Sequence, residues 1–325
     1  MSPELPAISE IYASGQANLA RMGVKLSFSS GRYAEATANA SRSYLDSLFF
    51  TPSFLDTGEA DTSITLFGRK LKTPVFCSAI SRQSFMPDSW ATDVGTGVAR
   101  AGSLMMLGLG GSDDLQKAID TGAPVIKIVK PYRQSELIYQ KIHDAETRGC
   151  IAVGMDISHT LGRLRGDRID RDNTFGPQSS ADLKSLIAST KLPFIIKGVL
   201  NISDAQKAMA IGARAIVVSN HGGYSFSHGL PASVVLSVIA EKMGKNMIIM
   251  VDSGFRTGND VLKGMALGAH TVGMGVNMIT ALMADGAVGI ENLLQQITME
   301  LRRSMIATGC ADLKVVNKSI IKVVT

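Results

Sequence analysis

The feature that most constrains the fold is a regular alternation of short apolar runs with amphipathic stretches. We identify eight apolar runs, at residues 75–80, 103–107, 125–129, 151–155, 194–197, 215–218, 247–251 and 271–274. Helix-like segments lie between them, near residues 90–101, 112–121, 134–148, 180–189, 203–211, 231–243 and 258–267. Eight strands that alternate with helices predict an α/β fold, the parallel (β/α)8 TIM barrel. A doubly wound open sheet is the alternative, but no Gly-x-Gly-x-x-Gly motif follows the first strand.

The segments outside this alternation predict helical additions to the barrel. Residues 1–72 contain helix-like stretches around residues 3–21 and 31–40, then a link with Pro52, Gly58 and Gly68. Residues 289–307 have the pattern of one further helix. We therefore expect a single domain over residues 1–325. Its predicted parts are an N-terminal cap segment (1–72), the barrel (73–285), and a C-terminal helix and tail (286–325).

Charge and cysteine usage argue against several classes of protein. The formal net charge is +5, but Lys and Arg are scattered, so a nucleic-acid partner is not expected. No apolar stretch approaches the roughly 20 residues of a membrane span, and the N-terminus lacks the pattern of a secretory signal. The three cysteines are widely spaced, and no Cys/His cluster predicts a metal site. We expect a cytoplasmic enzyme that acts on a small molecule.

The strongest chemical signal is the segment Ser219-Asn220-His221-Gly222-Gly223, which directly follows the apolar run 215–218. This order places His221 at the carboxyl end of a buried strand, where α/β folds usually carry their chemistry. Histidine exchanges protons near neutral pH, and the paired glycines allow a sharp turn and close approach to a ligand. A histidine satisfied within a turn is the alternative interpretation.

Two other charged residues end apolar runs in the same way. Lys197 follows Phe194-Ile195-Ile196, and a fixed ammonium there could stabilise negative charge that develops on a cofactor or substrate. Asp156 follows Val153-Gly154-Met155 and could orient His221 and balance its charge. A lysine that snorkels to the surface and a helix cap are the respective alternatives.

Glycine-containing loops follow the last two predicted strands. The segment Asp252–Gly258 follows the run 247–251, and Gly273-Met274-Gly275 ends the next one. In the barrel fold, the loops that follow the last two strands, near a helix N-terminus, usually form the phosphate site. Arg256 would add a charged and potentially bidentate clamp.

Taken together and in this order, these motifs resemble the FMN-dependent α-hydroxy acid oxidase/dehydrogenase family, which includes glycolate oxidase, lactate oxidase and flavocytochrome b2. The resemblance extends over nearly the whole chain and includes Tyr12-Ala13-Ser14-Gly15 and Thr73-Pro74-Val75. The segments that carry it are residues 196–199, 218–223, 231–232, 251–258, 260–263 and 266–269. Among them, the Ser-Asn-His-Gly-Gly segment (219–223) and the Asp-x-Gly-x-Arg segment (252–256) are specific when they occur together in this order.

The resemblance implies FMN across the barrel mouth and a homo-oligomer, often a tetramer in this family. His221 would be the base that takes a substrate proton, Asp156 its partner, and Lys197 the cation beside the flavin N1/O2 edge. Backbone groups of Ala79, Ile80 and Ser81 would line the flavin. The implied cofactor-binding residues are Ala79, Ile80, Ser81, Gly108, Lys127, Lys197, Ser219, Asp252, Gly254, Arg256, Gly273 and Gly275.

The chain departs from the family at positions that concern the substrate carboxylate. Tyr224 stands where the family has an arginine, and tyrosine lacks the charge and fork geometry of a guanidinium. Ile11 replaces a tyrosine, and Lys127-Ile128-Val129 stands for Gln-x-Tyr on the third strand. Val276 replaces an arginine and Gly108 a serine. We therefore assign the substrate pocket to His221, Tyr224, Arg163 and Val129, with Arg163 as a partial replacement in anion binding. Lys127 would lie beside the flavin pyrimidine edge or bind an anionic substrate.

We predict an FMN-dependent oxidoreductase that oxidises a CH–OH or CH–NH group and is not a simple glycolate or lactate oxidase. One alternative is a redox-neutral isomerisation or rearrangement on the same barrel. Another is a non-catalytic flavin- or phosphate-binding relative. The charge-rich segment 157–180 is predicted to be a solvated loop or a lid over the site.

Overall fold

A computed structural model describes residues 5–26, 32–161, 163–165, 168–170, 174–223 and 228–324. Eight of its strands close into a parallel barrel, so the predicted (β/α)8 fold is confirmed and the open-sheet alternative is wrong. The barrel strands are β4 (Val75–Ile80), β5 (Leu104–Leu107), β6 (Val125–Val129), β7 (Ala152–Asp156), β10 (Phe194–Val199), β11 (Ala215–Val218), β12 (Ile248–Val251) and β13 (Thr271–Met274). Each of them lies within two residues of its predicted limits.

Helices connect the strands, as the amphipathic stretches predict. They are α3 (Trp90–Ala101), α4 (Ser112–Asp120), α5 (Ser135–Thr147), α6 (Ser180–Ala188), α7 (Ile202–Ala210), α8 (Ala232–Met243) and α9 (Gly258–Ala266). Local chemistry sets several of their starts. The side chains of Ser179, Asn201 and Thr257 each accept a hydrogen bond from a backbone N–H in the first turn of α6, α7 and α9.

Further elements surround the barrel. Helix α1 (Ile8–Arg21) packs against α10 (Val276–Ala307), which breaks at Asp285–Gly286, and α2 (Arg32–Ser47) follows α1. The remaining strands form three antiparallel pairs. These are β1 (Leu48–Phe50) with β14 (Ile321–Val323), β2 (Ile64–Leu66) with β3 (Arg69–Leu71), and β8 (Arg163–Arg165) with β9 (Arg168–Asp170). Within the described residues, no helix combines the length and apolar character that crossing a bilayer requires.

The alternation of side chains along the strands fills the barrel and places the polar groups. The interior cluster contains Phe76, Met106, Ile128, Val217 and Met250, among others. Residues between these positions face the surrounding helices instead. Two residues further along four of these strands, the inward positions at the carboxyl end are polar or charged. They are Ser78, Lys130, Ser219 and Asp252. The strand period itself therefore builds a polar layer under the barrel mouth.

Candidate active site

A cavity opens at the carboxyl end of the barrel, directly above this polar layer. Its empty volume, including the open solvent at the mouth, is about 1160 Å³. Most predicted site residues meet here although they are far apart in sequence. The lining includes Ala79, Ile80, Ser81, Lys197, His221, Asp252, Gly254, Gly273 and Gly275. It also includes Ser78, Lys130 and His159, which the sequence analysis did not identify.

Lys197 is held in the cavity wall by two neighbouring strands. Its Nζ donates to Ser219 Oγ and to Asp252 Oδ2, both at 2.6 Å, and the side chain is only 3% exposed. Burial alone would raise the pKa of Asp252, but the Lys197 ammonium outweighs it and the pKa is lowered. Lys197 and Asp252 thus form a buried ion pair that fixes a cation at the cavity. This arrangement contradicts the alternative of a lysine that snorkels to the surface.

His221 is positioned by a strained turn and by Asp156. Its φ of +51° is left-handed, as are those of Gly222 and Gly223, and its N–H donates to Ser219 Oγ at 3.2 Å. The His221 Nδ1 lies 2.8 Å from Asp156 Oδ2. Burial would raise the pKa of Asp156, but nearby Lys130 and His221 hold it well below its usual range. A carboxylate only accepts hydrogen bonds, so Nδ1 carries the proton and Nε2 keeps its lone pair.

A second buried pair surrounds the same carboxylate. Lys130, directly after β6, places its Nζ 3.0 Å from Asp156 Oδ2 and 3.2 Å from His159 Nδ1. The His159 ring lies against the His221 ring, with centroids 4.4 Å apart. Lys130 and His159 are 3% and 2% exposed. Lys130 could have been recognised in the sequence, because it follows an apolar run just as Asp156 and Lys197 do. His159 lies in a 3₁₀ turn and carries no such signal.

The cavity wall fits a flavin nucleotide. The Ser78 hydroxyl is buried and has no hydrogen-bond partner among the described residues, so a bound ligand would supply one. A Cβ on Gly273 would lie 2.4 Å from both Ser78 Oγ and the Phe76 ring, so a larger residue could not lie beside that hydroxyl. Helix α10 begins at Val276, after Gly275, and its first N–H groups can bind a phosphate. The residues present therefore suit FMN.

The predicted positions of Lys127 and Val129 in the pocket are wrong. Val129 packs with the outer cluster between strands and helices, while Ile128 faces the barrel interior. Lys127 donates to the Gly108 carbonyl at 2.7 Å and lines a separate cavity beside α4 and α5. Burial lowers its pKa to about 8. Successive side chains of a strand lie on opposite faces, so Lys127 and Val129 share the face toward the helices and Ile128 lies on the inner face. Lys130 therefore takes the inward position at the barrel mouth.

Arg256 also departs from its predicted place. Arg256 lines a different cavity, formed with α1 and Glu300, and is not among the residues that line the central cavity. Its carbonyl accepts a hydrogen bond from Tyr12 at 2.9 Å, and its N–H donates to Asp260 Oδ2 at 2.9 Å. Arg42 forms a bidentate pair with the same Asp260, at 2.8 Å for both contacts. The backbone of Arg256 thus ties this loop to α1, through Tyr12, and to α9, through Asp260.

The remaining predicted residues either lie behind the residues that line the central cavity or fall outside the described residues. A Cβ on Gly108 would lie 2.6 Å from Ser81 Oγ, which places this glycine directly behind Ser81. Ile11, which stands for a family tyrosine, is buried in the hydrophobic core. Tyr224 and the side chain of Arg163 lie outside the described residues, as do residues 162, 166–167 and 171–173 of the predicted lid at 157–180.

Comparison with known proteins accords with this geometry. A protein-family model described as FMN-dependent dehydrogenase matches residues 24–180 and 172–323. Glycolate oxidase 3 of Arabidopsis thaliana is 26% identical, covering 91% of this chain and 90% of its own length. 4-Hydroxymandelate oxidase of Amycolatopsis orientalis is 28% identical over 86% of this chain and 88% of its own. A mandelate oxidase variant with (S)-mandelic acid superposes with a TM-score of 0.88, 25% identity, and coverage of 98% and 99%.

The match to the family model spans the whole barrel and every described α-helix except α1. The relatives are oxidases of α-hydroxy acids, and the solved structures include mandelate oxidase with FMN adducts. The cavity at the barrel mouth is lined by the buried Lys197 and by His221. The chain therefore belongs to the FMN-dependent α-hydroxy acid oxidase/dehydrogenase family, and is an FMN-dependent oxidoreductase.

Proposed function

We propose that this enzyme oxidises the CH–OH group, or an equivalent CH–NH group, of a small molecule, with His221 as the base. The observation that carries the proposal is the His221–Asp156 contact of 2.8 Å at the wall of the cavity that also holds Lys197. When bound, FMN accepts the two electrons that the substrate loses. The residues of this chain supply the proton transfer and the electrostatic environment.

His221 has the protonation state that a base requires. Burial lowers its pKa, and this effect outweighs the nearby Asp156 carboxylate, which would raise it. The imidazole is therefore neutral near pH 7, with the proton on Nδ1 and the lone pair on Nε2 available to a substrate hydroxyl. After it takes that proton, the imidazolium is stabilised by Asp156.

Lys197 supports the other half of the reaction. Its ammonium is buried, held by Ser219 and Asp252, and lines the cavity. A cation whose position is fixed before the reaction can stabilise negative charge that develops on the reduced cofactor without reorganisation. Ser219 acts as the link, since its hydroxyl accepts from both Lys197 and the His221 N–H.

The substrate pocket differs from that expected for small α-hydroxy acids. Among the described lining residues there is no arginine, and the cations are Lys130 and Lys197, each beside a carboxylate. Phe85, Leu26 and Ile279 give the rest of the wall an apolar character. We propose a substrate that is larger or less anionic than glycolate or lactate.

The experiment is anaerobic mixing of the FMN-loaded protein with candidate substrates, with the flavin absorbance as readout. The probes are glycolate, L-lactate, (S)-mandelate and the neutral amide 2-hydroxy-phenylacetamide. We expect the flavin to be bleached, more readily by the aromatic probes than by glycolate, and His221→Asn to slow the bleaching strongly while it retains FMN. Product formation without bleaching or consumption of an acceptor would instead support the redox-neutral alternative. A protein that binds FMN but reacts with no probe would support the non-catalytic one.

The assembly and the compartment are a separate part of the proposal. We propose a homo-oligomer in the cytoplasm, on the basis of the family resemblance and the free, buried cysteines Cys77, Cys150 and Cys310. Light scattering of the purified protein measures the mass in solution, and a monomer at micromolar concentration would contradict the oligomer.

A further inference from the structure

Asp156 accepts hydrogen bonds from more groups than an aspartate–histidine pair requires. Its Oδ2 is 2.8 Å from His221 Nδ1 and 3.0 Å from Lys130 Nζ, and 3.6 Å from His159 Nδ1. Its Oδ1 accepts from the Ser158 hydroxyl at 2.6 Å. The carboxylate is completely buried. The Lys130 ammonium and the His221 imidazole therefore share the same oxygen, in a region of low dielectric where charges act strongly on one another.

We propose that Lys130 is a positioning residue that holds the Asp156 carboxylate against His221 and, by offsetting its negative charge, keeps the His221 imidazole unprotonated at neutral pH. The catalytic meaning of this arrangement rests on the proposed function, in which His221 is the base. The electrostatic effect itself does not depend on any substrate.

The charges around His221 support the proposal. The titratable and charged groups that the structure describes there are Asp156 on β7, His159 in the turn after it, Lys130 after β6, Lys197 on β10 and Asp252 after β12. Two carboxylates face two ammonium groups, so the fixed charges around the imidazoles sum to zero. An Asp–His pair without Lys130 would have a net negative environment, and the imidazolium would be stabilised.

The position of the ammonium also bears on another use of the cluster. Asp156, His159 and His221 offer ligand atoms within 4.8 Å of one another, a set that divalent metals accept. Lys130 Nζ lies beside the carboxylate oxygen and the His159 ring nitrogen, and a metal ion would have to displace it. The structure thus favours the Lys130 ammonium, and not a metal ion, as the positive charge at this point.

The test is to measure the His221 pKa by NMR titration of the imidazole nitrogens in the FMN-loaded protein, which has five histidines. In the unmodified protein we expect His221 to titrate below its ordinary value of about 6.5. Lys130→Met and Lys130→Gln should raise it by about 1 to 3 pH units, because the carboxylate charge is no longer offset. Lys130→Arg should leave it near the parent value. Lys127→Met is the matched control, since it removes a buried ammonium from the other face of the same strand.

Several results would overturn the proposal. They are a parent His221 pKa above its ordinary value, an unchanged pKa in both Lys130→Gln and Lys130→Met, or an equal rise in Lys127→Met. Lys130→Gln keeps an N–H donor beside Asp156, and the parent titration needs no variant, so misfolding of Lys130→Met does not remove the test. Failure of every probe to bleach the flavin would contradict the proposed function alone. A shifted His221 pKa would still support the role of Lys130.

Discussion

The ion pair between Lys197 and Asp252 makes the most quantitative prediction, through the variant Lys197→Met. The charges are 2.6 Å apart and both side chains are buried. At an effective dielectric constant of about 20, Coulomb attraction at this distance is about 6 kcal/mol. Methionine fills much of the lysine volume but leaves the Asp252 carboxylate buried and unpaired. Breaking a buried pair from one side costs about 3–5 kcal/mol, so we expect Lys197→Met to lose this much stability.

Thermal unfolding with and without FMN measures this loss. At about 2 °C per kcal/mol for a long chain, the expected decrease in Tm is about 6–10 °C. The double variant Lys197→Met with Asp252→Asn should recover most of it, because no uncompensated charge remains. The double variant should nevertheless not regain flavin reduction, since the ammonium at the cavity is still absent.

The pH dependence of the loss provides an internal check. In the parent protein the Asp252 pKa is lowered, since Lys197 outweighs the effect of burial, so the stability that this carboxylate contributes is present above about pH 4 and lost below it. In Lys197→Met the largest influence that opposes burial is gone, so the pKa of Asp252 rises. The cost of the substitution should therefore increase with pH above about pH 4. A decrease in Tm of under about 2 °C at pH 7, or no recovery in the double variant, would refute the reasoning.

Three further outcomes are expected. His221→Asn should slow flavin reduction by about 10²–10⁴-fold in stopped-flow experiments without loss of FMN, and a rate near the parent value would contradict its role as the base. Gly254→Ala should cost about 1–3 kcal/mol and weaken FMN binding, because φ is +97° and the new Cβ would lie 2.2 Å from Ser41 Oγ. Gly58→Ala, with open space around it, is its control, and equal urea midpoints for the two would count against this account. The pKa of Asp156 is held low, because Lys130 and His221 outweigh the effect of burial. The urea midpoint should therefore be constant above about pH 4 and fall at lower pH. A midpoint that stays constant below about pH 4 would argue against a buried carboxylate.

Most of the fold and half of the site followed from local patterns. Eight short apolar runs with amphipathic segments between them leave few alternatives to a parallel barrel, because each strand must bury both faces. The rule that chemistry lies at the carboxyl ends of such strands then joins Asp156, Lys197 and His221, whatever their separation in sequence. The structure adds the contacts between them, and above all it adds Lys130 and His159, which lie beside Asp156.

The β6 strand shows where sequence reasoning reaches its limit. All five residues of Val125–Val129 are buried, since one face lies in the barrel and the other lies under helices. A strand buried on both sides has no alternation of polar and apolar residues, so its phase cannot be read from the sequence. A shift of one residue moves every side chain to the other face. The sequence by itself determined that a barrel forms and which strand ends meet. Only the tertiary structure decided that Lys130, and not Lys127, faces His221, because the phase of β6 is set by packing against its neighbours.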